Sequence, residues 1–149
     1  MWQQLTRTND SVAALVLRLA LGLVMFPHGA QKLLGWFGGR GLSGTIELFH
    51  QIGFSTVLAV LVTIGEFFGG LGLLVGFLSR VAAAGIGIIM LGAIITVHWP
   101  SGFFMNWAGD KAGEGFEYHI LAIGLALAIM ILGGGKWSID RTLAENRSR

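Results

Sequence analysis

Four stretches of predominantly apolar residues, about 11–34, 55–78, 80–99 and 116–134, constrain this chain more than any other feature. Each is close to the roughly 20 residues that a helix needs to cross a bilayer. In lipid every backbone polar group must be satisfied internally, so spans of this kind fold as helices. Only Ser79 separates the second stretch from the third, which predicts a tight antiparallel hairpin. The expected fold is therefore all-α: one integral-membrane four-helix bundle over residues 1–149, ending in a tail over 135–149. Composition agrees. Charged residues make up 12% of the chain, against about 25% in a soluble domain, and mean hydropathy is +0.72.

Orientation follows from the basic residues outside the spans. Arg7, Arg80, Lys136, Arg141, Arg147 and Arg149 gather at one end, with Lys32, Arg40 and Lys111 at the other. Both termini are thus expected in the cytoplasm, with the two longer loops facing outward. The first segment lacks a basic leader and a small-residue cleavage site, and Arg18 interrupts it, so it reads as a retained span. Net charge is only +2 and the basic residues are dispersed, which leaves no footprint for nucleic acid. There is no cysteine, so a thiolate metal site or a dithiol relay within the chain is excluded.

The outer loops have their own patterns. Leu42, Ile46, Phe49 and Ile52 recur at helical spacing opposite Ser43, Glu47 and His50, which predicts a short interfacial helix. The second loop carries Trp99, Phe103, Phe104, Trp107, Phe116 and Tyr118. These form either an aromatic belt at headgroup level or a lid over a pocket for a flat apolar molecule. Gly65 and Gly69, and Gly72 and Gly76, are spaced to let helices approach closely.

Ionisable groups at membrane depth cost about 2.5–3.5 kcal/mol each on insertion scales and normally face a bundle interior. Glu66 is the deepest, roughly 15 Å from its helix start at about 1.5 Å per residue. It must be protonated, paired with a cation, or lining a wet cavity. Arg18, Gly22, Met25, Gly29 and Lys32 share one stripe of the first span, with His28 at its edge and Pro27 predicting a kink. His98 closes the third span on the face of Gly87, Leu91, Ile94 and Ile95. Glu114, Glu117 and His119 open the fourth. With the spans alternating in direction, Glu66, His28, Lys32, His98, Glu117 and His119 converge on the outer half of the bundle, and Arg18 stands apart. Each histidine can instead be an interfacial hydrogen-bonding group, and Lys32 or Arg18 can snorkel or pair structurally.

The segments "RLALGLVMFPHGAQKL", "GEFFGGLGLLVGFLSRVAA", "VHWPSGFF", "EGFEYHIL" and "GGGKWSID" resemble the DoxX family of small four-helix membrane proteins. The resemblance runs from Arg18 to Asp140. Its recurrent polar positions correspond to His28, Lys32, Glu66, His98, Glu117 and Asp140, while Trp137 stands where a tyrosine is more usual. It implies a membrane component of oxidoreductase systems in the bacterial cytoplasmic (inner) membrane, related to the DoxD subunit of thiosulfate:quinone oxidoreductase. On that reading the ligand is a quinone. His28, His98, Trp99, Phe103, Phe104 and Tyr118 would bind it. Glu66, Glu117, Lys32 and the histidines His28, His98 and His119 would handle protons and developing charge, with Arg18 and Asp140 structural. No metal site is expected. Electrons would come from a protein partner, and the glycine faces also suit a homo-oligomer. A proton- or metal-ion transporter, haem ligation by facing histidines, and a plain membrane anchor for soluble redox proteins are the alternatives.

Overall fold

The computed structural model describes residues 6–145, which are helical and contain no strand. Arg147 and Arg149, counted in the orientation argument, lie outside the described residues. Helix α1 spans Val12–Leu34, α2 Gly41–Gln51, α3 Thr56–Val75, α4 Ser79–Ala93, α5 Glu117–Leu132 and α6 Ile139–Glu145. A π turn at Ile94–His98 and a 3-10 turn at Trp99–Ser101 extend α4, giving an apolar run of 23 residues. Three of the apolar helices are long enough to cross a membrane; α5, with 16 residues, is the short fourth.

The boundaries follow local chemistry. Ser11 caps α1 by accepting from the Ala14 amide at 3.2 Å, and Ser55 caps α3 by accepting from Leu58 at 3.3 Å. Gly35 and Gly76 end these helices in the left-handed region, at φ 74° and 70°, where a side chain is disfavoured. Helix α1 continues through Pro27 to Leu34.

The four long helices close into a ring in which α1 packs on α3 and α5, and α4 packs on the same two. Inside lies an apolar layer that includes Leu21, Leu73, Ala83, Ile86, Ala126 and Ile129. Outward, Ile88, Leu121 and Ile131 are 72%, 70% and 75% exposed, the sidedness expected where lipid rather than water surrounds a bundle. The tightest seam is α1–α3. A Cβ on Gly29 would lie 2.3 Å from the Phe67 nitrogen, and one on Gly70 would lie 2.5 Å from that of Phe26. Close backbone approach thus runs through Gly29 and Gly70. Gly65 and Gly69, singled out by their spacing, receive the side chains of Ile89 and Ile86 from α4.

At the end of the bundle that carries the termini, Arg18 is 2% exposed and does not snorkel. Its Nε donates to Gly134 O at 2.7 Å, and Nη1 donates to Leu73 O and Leu74 O at 2.8 and 2.7 Å. Its Nη2 donates to Trp137 O at 2.9 Å. The guanidinium thereby caps carbonyls at the C-terminus of α3. Asp140 works on the next helix. Leu78, with φ 49°, cannot cap α4 itself, and the Asp140 carboxylate accepts from the Leu78 and Ser79 amides at 2.7 and 2.8 Å. Residues 135–145, expected as a tail, are therefore partly docked, because Asp140 and Ser138 are buried against this joint.

Helix α2 forms where a short helix was expected and rests on α1 and α3. Its Thr45 is buried and donates to Lys32 O at 3.1 Å.

Candidate functional site

At the opposite end, under the two long loops, the four-helix ring encloses a cavity of about 320 Å³. It is lined by Met25, His28 and Lys32 from α1, Glu66 from α3, Met90 and Ala93 from α4 and His98 from the π turn. Tyr118 and His119 from α5 complete the wall, with Met105 and Glu114 from the loop above. Residues up to 94 positions apart in the chain meet here only through helix packing (94 is the step from Met25 to His119).

Glu66 is 3% exposed and accepts an ion-paired hydrogen bond from the Lys32 ammonium. The pair spans the seam that Gly29 holds close, since Gly29 sits against the Glu66–Phe67 backbone. Of the three states open to a deep carboxylate, pairing with a cation is the one realised, beside a cavity. Thr63, one turn before Glu66, donates back to Ala59 O at 2.8 Å and brings no unpaired group.

The imidazoles arrive differently. The π turn is wider than an α turn and shifts the register of the residues beyond it. His98 consequently faces the cavity with Met90 and Ala93. The face on which regular periodicity placed it is mixed, with Ile94 8% exposed and Leu91 and Ile95 52% and 65% exposed. His98 Nδ1 lies 2.9 Å from Glu114 O; a carbonyl only accepts, so Nδ1 carries the proton and Nε2 keeps its lone pair. The His98 and His119 rings are 4.1 Å apart, centre to centre. His119 is 7% exposed, and its Nδ1 is buried without a hydrogen-bond partner among the described residues. Such an orphan is a place for a ligand atom.

Not every predicted residue joins the cavity. The Glu117 carboxylate accepts from the Met105 amide at 2.9 Å and from Trp107 Nε1 at 3.4 Å, so it holds the loop down. Trp99 stacks on Phe116 with ring centres 5.4 Å apart, and Phe103 meets Phe116 edge-on at 5.6 Å. Trp99, Phe103 and Phe104 are 65%, 47% and 65% exposed and lie outside the lining. Periodicity did not single out Met90, Ala93 and Met105; only Met25, on the polar stripe, carried a usable signal. A wider cleft of about 530 Å³ lies at the termini end beside Asp10, Arg141 and Glu145. Its charges are already matched, because Arg141 pairs with both acids. Among the described residues no group of three or more His, Asp or Glu is placed to hold a metal ion.

The DoxX family model matches residues 13–99, which covers α1 through the π turn with His28, Lys32, Glu66 and His98. The chain belongs to the DoxX family. It is 29% identical over 118 residues to a Bacillus subtilis protein named putative oxidoreductase CatD, covering 79% of this chain and 78% of that one. It is 30% identical over 135 residues to inner membrane protein YqjF of Escherichia coli, covering 90% and 94%. A third relative, membrane protein Rv3486 of Mycobacterium tuberculosis, is 29% identical over 153 residues. No solved structure matches significantly. With its apolar helices and these relatives, this DoxX chain is a multi-pass membrane protein.

Proposed function

We propose that this DoxX protein binds a quinone in the cavity at the loop end and serves as the membrane subunit of an oxidoreductase system. The observation that carries the reading is a single cavity uniting a buried carboxylate, paired with a half-buried ammonium, with two touching imidazoles, one bearing an orphaned nitrogen. About 320 Å³ lies in the range of small-molecule pockets, roughly 300–1,000 Å³, and takes a ring headgroup. The relative named an oxidoreductase supports the class.

A quinone supplies two-electron redox chemistry coupled to two protons. The chain supplies the rest. The His98 and His119 imidazoles present hydrogen-bonding nitrogens to the ring oxygens. Lys32 and Glu66 together add no net charge, so an uncharged ligand is favoured, yet the pair can deliver or accept a proton locally. Met25, Met90 and Met105 give the ring polarizable walls. With no cysteine in the chain, electrons are supplied by a partner protein in this scheme. In the orientation set by the basic residues, the cavity lies in the outward half of the membrane.

The transport alternative meets an obstacle. Leu21, Leu73, Ile86 and Ile129, each at most 1% exposed, make the level between the cavity and Arg18 apolar among the described residues.

Quinone binding by the purified protein in mild detergent is the test. Glu66→Gln, His98→Ala and His119→Ala should each weaken affinity, by about 1–3 kcal/mol for a lost buried hydrogen bond. Co-purified quinone found by mass spectrometry would support the same conclusion. Unchanged affinity in all three variants, each folded by gel filtration and melting, ends the proposal.

A further inference from the structure

The roof over the cavity is built in two halves. Helix α2 covers the α1 and α3 side, pinned through Thr45 to Lys32 O. The 102–116 loop covers the α4 and α5 side, tied by Phe116 N to Gly102 O at 3.1 Å and Glu117 N to Phe103 O at 2.9 Å. Three of the four seams below that roof are closed. Helices α1 and α3 touch backbone to backbone at Gly29, Ile86 and Ile89 from α4 fill the glycines of α3, and Ala126 of α5 lies against Gly87 of α4. The α1–α5 seam is the slackest of the four. At the cavity its crossing contacts are two rings with centres 6.5 Å apart, His28 and Tyr118, and a Tyr118 hydroxyl bond to Met25 Sδ at 3.7 Å, a weak acceptor.

His28 makes the seam informative. It lines the cavity, yet it is exposed. It sits six residues before the end of α1, about 9 Å down the helix at 1.5 Å per residue. One turn earlier on the same edge, Val24 is 40% exposed on the outward face. One imidazole thus belongs both to the cavity wall and to the outer surface of a membrane-spanning helix.

We propose that the cavity opens sideways between α1 and α5, with His28 and Tyr118 as its two lips, and admits ligands already dissolved in the bilayer. The identity of the ligand rests on the quinone reading above; the opening does not. The cavity holds a ring and its substituents and has no room for a polyprenyl chain, so the substrate class is a tailed quinone whose head enters while its tail stays in the seam along Val24. Water-soluble quinones without a tail lose that second contact.

Because the chain lacks cysteine, single-cysteine variants report without background. A nitroxide is attached at His28→Cys and, separately, Tyr118→Cys, and each protein is reconstituted into liposomes. Power-saturation EPR then compares collisions with oxygen, which concentrates in lipid, and with a water-soluble nickel chelate. Val24→Cys serves as the lipid-facing reference and Trp107→Cys, at a side chain 88% exposed in the loop, as the wetter one. The expected result at positions 28 and 118 is oxygen collision several-fold above nickel, as at 24, falling when a decyl-tailed quinone is added. Nickel collision as strong as at 107 would mean an aqueous entrance and overturns the proposal. Labels reached by neither reagent would mean a closed seam and overturn it equally. The oxygen-to-nickel ratio is read without quinone, so it can fail while quinone binding survives, and the reverse.

Discussion

Glu66 is tolerated at depth because one ammonium reaches it and two glycines bring that ammonium's helix close enough. Removing one member of a buried pair is costlier than removing both. Lys32→Met should therefore lower the melting temperature in detergent, with a cost of up to about 3–5 kcal/mol, and Lys32→Met combined with Glu66→Leu should recover most of the loss. A double variant no more stable than the single would show that the pair does not hold the site. Asp140 acts at the far end by a different device, capping α4 from 61 and 62 residues away. Its replacement by Ala should cost about 0.5–2 kcal/mol, the range for a lost N-cap, with Asn losing less. Hydrogen exchange at the Leu78 and Ser79 amides is the check, and should rise selectively.

At the scale of helices, glycines divide into those that set spacing and those that do not. Gly29 and Gly70 face backbone at 2.3 and 2.5 Å, whereas Gly85, Gly92 and Gly124 have nothing within 4 Å of an added Cβ. Gly29→Ala should force α1 from α3, lower the melting temperature and loosen the Lys32–Glu66 pair. Gly85→Ala or Gly124→Ala should be neutral or stabilising by up to about 1 kcal/mol, through helix propensity alone. Equal effects at the two kinds of position would contradict this division. The π turn matters at the same scale, because the widened turn carries His98, whose ring lies 4.1 Å from that of His119.

Across the whole molecule the two ends differ in kind. The termini end is locked by Arg18 and Asp140 onto backbone groups, and the apolar layer above it is tightly filled. The loop end keeps a cavity, an ion pair and a slack seam. If α5 also crosses the membrane, both termini lie on one side. Reporter fusions after Glu145 should read as cytoplasmic and insertions near Asp110 as external; the opposite pattern would reverse the orientation drawn from Arg7, Arg80, Lys136 and Arg141.

The sequence by itself determined the helical membrane class, the ends of the apolar helices to within a few residues, the family, and the anomaly of Glu66, because length, apolarity and the cost of a buried charge are local properties. It also put Lys32 and His28 on the Glu66 end of the bundle, since alternation of direction needs only the order of spans. Tertiary structure decided which groups touch. That Glu117 braces a loop, that Arg18 caps α3, that Gly29 meets the Glu66–Phe67 backbone, and that His98 meets His119 all depend on helix rotation and on one widened turn. Those are set by packing between distant segments, which no single periodicity records.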